Sequence, residues 1–240
     1  MLAQNLIKTL KKYSSQKRQK SNQWFFKTGP GQYGAGDKFM GVTVPNTRLV
    51  ARQFLDLSFV EIAKLIKSPI HEIRLAGILI LVEINKQAIK NKDRVLQKKV
   101  LKFYLQNKAG INNWDLVDLS AHYILGQAIL DGLESKQILY SYAKSNNLWQ
   151  RRIAIIATWI FIRNGDLNDC FKISKLLLKD KEDLMHKALG WMLREAWKKD
   201  GTRVEKFLLV NYKILPRTTL RYAIEKMPEV KRKKFLQGNF

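Results

Sequence analysis

The stretch Arg74-Leu75-Ala76-Gly77-Ile78-Leu79-Ile80 decides the fold, because the chain returns to it. RIAIIAT from Arg152, KALGWML from Lys187 and RYAIEKM from Arg221 repeat its basic first residue with alanine one or two positions later. DLSAHYI from Asp118 fits the same frame with an acid in first place. The starting positions lie 44, 34, 35 and 34 residues apart, close to the length of one helical pair in a repeat array.

Around these segments almost everything after Val44 carries the helical period. Ser58-Phe59-Val60-Glu61 is a capping box, with Ile62, Leu65 and Ile66 as the apolar stripe behind it. Ser68-Pro69 is expected to open the next helix as N-cap and first-turn proline. Further periodic segments cover residues 91–106, 113–130, 135–145, 148–163, 168–178, 183–198, 202–210 and 216–226, and no stretch reads as a strand. The expected fold is an all-α, HEAT-like helical-repeat solenoid with a concave basic face. It forms one domain over 1–240: an N-terminal helix (1–20), a Gly-rich loop (21–45) and stacked helix pairs (46–240).

Composition limits what such an array would bind. The chain has 44 Lys and Arg against 20 Asp and Glu, a net charge of +24, with the cations spread along its whole length. That much self-repulsion is relieved by a polyanion. Nucleic acid is the first candidate and anionic membrane the rival; a basic helix surface that simply meets water stays open. The single Cys170 permits no intramolecular disulfide, and no Cys/His cluster offers metal ligands. The longest apolar run, Ala76 to Val82, is too short to span a bilayer, and the Lys-rich N-terminus lacks a secretory signal pattern. A cytoplasmic, nucleoid-associated monomer is expected, with no membrane partner, cofactor or metal.

Gly29-Pro30-Gly31-Gln32-Tyr33-Gly34 satisfies the G-x-G-x-x-G pattern of dinucleotide-binding loops. The pattern needs a strand before it and a helix opening at its last glycine. Neither is present, and no Gly-Lys-Ser/Thr follows to make a phosphate-binding loop. The segment reads instead as a long loop anchored by Trp24, Phe25, Phe26 and Phe39. Its glycines serve close approach, either to a phosphate backbone or to a neighbouring helix.

If the repeat register holds, residues 74, 118, 152, 187 and 221 are equivalent and four of the five are cations, a row suited to tracking phosphates. Asp118 breaks that row. With Asn113 as N-cap, Trp114 and Asp118 share one helix face, and Trp191 lies four residues after Lys187 as a second indole in a matching place. A carboxylate with indoles stabilises positive charge, the indoles by roughly 0.5–2 kcal/mol each. Cleavage of an N-glycosidic bond develops such charge at the sugar. A purine alkylated at N3 or N7 is already cationic and leaves without a second acid. Two plainer readings stay open: Asp118 pairing with His122 or Arg152, and the indoles filling the core. His71, His122 and His186 are scattered along the chain, and Ser120 points off the Asp118 face, so neither a metal site nor a triad is suggested.

At these residues the sequence resembles the AlkD-type family of DNA alkylation repair proteins. The resemblance is carried by FFKTGPGQYGAGDKFMGVTVPNTR (25–48), NNWDLVD (112–118), LWQRRIAI (148–155) and KALGWMLRE (187–195). It implies a metal-free, cofactor-free glycosylase that removes N3- and N7-alkylated purines from duplex DNA. By matching positions, Asp118 is implied as the catalytic carboxylate and Trp114 and Trp191 as the aromatics flanking the damaged nucleotide. Arg152 is implied as a contact to the DNA backbone. Arg151 beside it, together with Lys187, Arg74 and Arg221, completes the expected DNA-binding set. GPGQYGAGD departs from the family's better-known members, and Tyr33 is taken as the stand-in for their N-terminal aromatic contact. The alternative is a non-catalytic helical-repeat protein that binds damaged or branched nucleic acid.

Overall fold

The computed structural model describes all 240 residues, and its regular elements are helices, apart from one isolated bridge between Lys38 and Ile70. The chain divides into two compact units, Met1–Ile124 and Leu125–Phe240. The first holds α1 (Ala3–Lys11), α2 (Gln16–Phe25), α3 (Val44–Arg52), α4 (Phe59–Ile66), α5 (His71–Lys90), α6 (Arg94–Gln106) and α7 (Trp114–Asp118). The second holds α8 (Gln127–Leu130), α9 (Gln137–Ala143), α10 (Leu148–Ala157), α11 (Trp159–Arg163) and α12 (Asn168–Leu177). It continues with α13 (Asp183–Trp197), α14 (Gly201–Asn211), α15 (Arg217–Ala223) and α16 (Glu229–Gln237). No helix is long and apolar enough to cross a membrane.

In the first unit α5 is the axis. It is buried without interruption from His71 to Val82, the signature of a helix enclosed on all sides, and α3, α4 and α6 pack against it. Ser58 caps α4 by accepting the Glu61 amide at 3.3 Å. The Glu61 carboxylate does not close the box; it takes the Ala3 amide at 2.7 Å and so ties α1 to α4. The expected single helix over 1–20 is two, because Ser15 caps a new start and its amide is claimed by the Met40 carbonyl at 3.2 Å. The first of these, α1, buries Leu6 and Leu10, whereas α2 buries no residue and is tied to α5 by the Asn22 side chain, which donates to Glu72 at 3.4 Å. The loop therefore begins after Phe25. The α5 helix starts at His71, two residues later than the sequence suggests. The bridge takes the intervening backbone: Lys38 donates to the Pro69 carbonyl at 3.1 Å and accepts the His71 amide at 2.8 Å.

In the second unit α10 and α13 are central. α10 packs on α9, α12 and α13, and α13 on α14 and α15. Gly190 makes the α13–α15 approach possible: a Cβ there would sit 2.4 Å from Tyr222 Cβ and 2.7 Å from the Thr219 carbonyl oxygen. Two expected long helices are broken. Residues 148–163 divide at Thr158, whose hydroxyl donates to the Ile155 carbonyl at 2.6 Å and so competes with the helical ladder. Residues 113–130 divide through a π-helical turn, His122–Gly126, within which the first unit ends. The final helix, α16, was invisible to periodicity because only Phe235 of its nine residues is buried.

The repeat survives at the level of helix register. Asp118, Arg152, Lys187 and Arg221 are each the fifth residue of their helices. The fourth place carries a second repeated device. Arg74 donates to the Ser68 carbonyl at 3.0 Å, Arg151 to the Ser145 carbonyl at 3.0 Å, and the His186 ring meets the Asp180 carbonyl at 2.6 Å, each reaching back six residues. Arg74 thus belongs with Arg151 and His186, one place out of the row to which the sequence comparison assigned it.

Candidate active site on the acid-bearing helix

Asn113 starts α7 by accepting the Trp114 amide on its side-chain oxygen at 2.8 Å, as its place before the helix predicts. One turn of helix separates Trp114 from Asp118, and both side chains are half-buried. The indole rests on the aromatics that precede the Gly-rich loop. Phe26 stacks on it at 5.4 Å with 15° between the planes, and Phe25 meets it edge-on at 5.9 Å.

Beneath these rings lies a charged network that sequence reasoning missed. The Asp37 carboxylate, at the end of the Gly-rich loop, accepts from Arg74 at 2.6 Å and from the Asn113 side chain at 3.0 Å. It also meets the His71 ring at 3.2 Å, and the other nitrogen of that ring meets Asp115 at 2.8 Å. Burial alone would raise the Asp37 carboxyl, but the His71 hydrogen bond, the Arg74 charge and Asn113 together hold it below the usual range. For His71, burial pushes the ring down, and the hydrogen bonds to Asp115 and Asp37 outweigh it and lift it to about 9. The signal that could have found this network is a carboxylate directly after a Gly-rich turn.

The loop is drawn onto the first unit in other ways too. Glu72 accepts the amides of Met40, Gly41 and Val42 at 2.9, 2.8 and 3.3 Å. Gly41 has φ of 77°, and a Cβ there would lie 2.1 Å from the Ser15 carbonyl oxygen, so close packing against α2 is what this glycine serves. The Tyr33 hydroxyl donates back to the Phe25 carbonyl at 3.3 Å.

The expected DNA-binding residues occupy different environments. Arg74 is 3% exposed with its guanidinium on Asp37 and the Ser68 carbonyl, an interior tie. Arg151 is likewise engaged through its guanidinium, with Asp180 at 2.6 Å and the carbonyls of Ser145 and Asn146 at 3.0 Å. Arg152 is 4% exposed and donates to the Leu184 carbonyl at 2.6 Å. Lys187 is half-buried and pairs with Asp183 at 2.7 Å, while Arg221 is exposed. Trp191, also half-buried, lies 6.3 Å from Trp159, and Arg163 sits over the Trp159 ring at 5.5 Å. No group of three or more His, Cys, Asp or Glu is placed to hold a metal ion.

The family model of the DNA alkylation repair enzymes matches residues 6–227. This chain belongs to the DNA alkylation repair enzyme family. Its role accordingly lies in the repair of alkylated DNA. The solved structure of a predicted DNA alkylation repair enzyme from Enterococcus faecalis has the same fold, with a TM-score of 0.68 at 16% identity. The match covers 90% of this chain and 97% of that one. No curated protein matches the chain. The all-α helical-repeat architecture is therefore the fold of the DNA alkylation repair enzymes, and α7 is where this member departs from a purely basic repeat.

Proposed function

We propose that the protein is a monofunctional DNA glycosylase that hydrolyses the N-glycosidic bond of N3- and N7-alkylated purines in duplex DNA. The observation that carries this reading is the pairing on α7: a half-buried carboxylate, Asp118, one turn from an indole backed by two phenylalanine rings. The alkylated purine carries a positive charge, so the C1′–N bond breaks with its electron pair neutralising the departing base. Positive charge then passes to the sugar as an oxocarbenium-like ion. Asp118 stabilises that ion and orients a water, whose oxygen bonds to C1′ and whose proton goes to the carboxylate and then to solvent. The indole face of Trp114 adds attraction for the cation. Lys187 and Arg221, which keep access to solvent, hold the DNA backbone. Because the substrate brings its own leaving-group activation, the step calls for neither a second acid nor a cofactor.

The test is release of 7-methylguanine and 3-methyladenine from methylated duplex DNA. Wild-type protein is expected to exceed the spontaneous rate, and Asp118→Asn to lose roughly 10²–10³-fold of that excess while still binding DNA. Binding without any release by the wild type would replace this reading with that of a non-catalytic damage-binding protein.

A further inference from the structure

His71 is a buried titratable group for which the proposed reaction has no use. Its ring is 2% exposed and lies between two acceptors, Asp115 on α7 and Asp37 on the loop. Both bonds form together only if both ring nitrogens carry protons, so the ring is an imidazolium. The other groups around it are accounted for. Arg74, on α5 itself, is turned to Asp37, Glu72 is turned to the amides of residues 40–42, and Asn113 bonds Asp37. Phe26 and Phe39 cover the ring at 4.7 and 4.8 Å.

What this bridge holds is the first turn of α7. Asp115 receives His71 on one oxygen and the Leu116 amide at 2.9 Å on the other. Asn113 links Asp37 to the Trp114 amide. A helix of five residues is far below the length at which backbone hydrogen bonds alone sustain it, so these side chains, together with the buried Leu116 and Val117, set where it points. Phe26 completes the circuit by touching both the His71 ring and the Trp114 indole.

We propose that His71 is a positioning residue, whose bridge between Asp37 and Asp115 fixes α7 and thereby aims the Trp114 indole and the Asp118 carboxylate. Its catalytic consequence rests on the glycosylase reading; its structural consequence does not.

Two readouts separate these. His71→Gln, with Asp37→Asn as the second variant should the first fail to fold, is compared with wild type by single-turnover excision and by DNA affinity. A displacement of the acid by about 1 Å lowers the excision rate roughly 10²-fold with the affinity unchanged. In parallel, protein labelled with 5-fluorotryptophan gives a Trp114 fluorine resonance, assigned by its absence in Trp114→Phe. In wild type that resonance shifts as the pH passes about 9, where His71 loses its proton, and in His71→Gln the step is gone. Wild-type excision by a folded bridge variant, or a wild-type Trp114 resonance that ignores this titration, overturns the proposal. Absence of excision by the wild type would overturn the glycosylase reading, and the fluorine titration would still decide this one.

Discussion

α7 and α10 begin alike and are then held to different degrees by apolar burial: among its apolar residues α7 buries only Leu116 and Val117. Each is opened by an asparagine whose side chain accepts a first-turn amide, and each places the residue under comparison fifth: Asp118 in one, Arg152 in the other. α10 buries an unbroken apolar run from Ile153 to Ala157. It would keep its place if its polar contacts were weakened. α7 has five residues and leans on Asp37, His71 and Asp115, groups contributed by a loop, a neighbouring helix and its own first turn. The repeat therefore supplies a register in which a carboxylate can stand, and the support that a lone acid requires comes from outside the repeat, through the Gly-rich loop.

The largest effect that would sharpen this contrast is expected from Arg74→Met. It leaves Asp37 buried beside one partner fewer, at a cost of about 3–5 kcal/mol. Denaturant unfolding should register the loss while the salt dependence of DNA binding keeps its slope. A change in slope without a loss of stability would put Arg74 back among the DNA contacts. Next in size is a pH effect confined to the first unit. His71 has its pKa raised to about 9, so its contribution to stability is complete below its ordinary value near 6.5 and is lost as the pH rises through about 9. Asp37, held low, contributes above its ordinary value and loses that contribution as the pH falls through its lowered one. Hydrogen exchange, corrected for the intrinsic rate, should show residues 26–43 opening at alkaline pH ahead of α10 and α13; simultaneous opening would erase the distinction between the two regions. The smallest effect belongs to Arg221→Gln, an exposed residue at the same helical register. Stability should hold, and the slope of log affinity against log salt should fall by about 1, as read from titrations at several salt concentrations.

Much of this architecture could be read from residue types. Asn113 and Ser58 cap as their chemistry demands, and the fifth-place register of Asp118, Arg152, Lys187 and Arg221 follows from simple self-comparison. The misplacements have local causes. A one-residue slip set Arg74 in the fifth-place row because alanine spacing tolerates one, whereas the carbonyl six residues back distinguishes Arg74 from Arg152. The network under Trp114 was illegible because its pairs span 34 and 44 residues, and single charged residues carry no periodicity that would announce a partner. The N-terminal segment reads as one helix in sequence because the Ser15 break depends on the Met40 carbonyl, a contact made only after the loop folds back.

The reach of Arg74, Arg151 and His186 to the carbonyl six residues before each makes a closed cassette of every such connection and the opening of its helix. Lengthening or shortening the chain inside a cassette, between 68 and 74, 145 and 151, or 180 and 186, would strand a donor and an acceptor together. Cuts placed just ahead of Ser68, Ser145 or Asp180 leave each latch whole, so those are the seams along which modules of this chain are best exchanged.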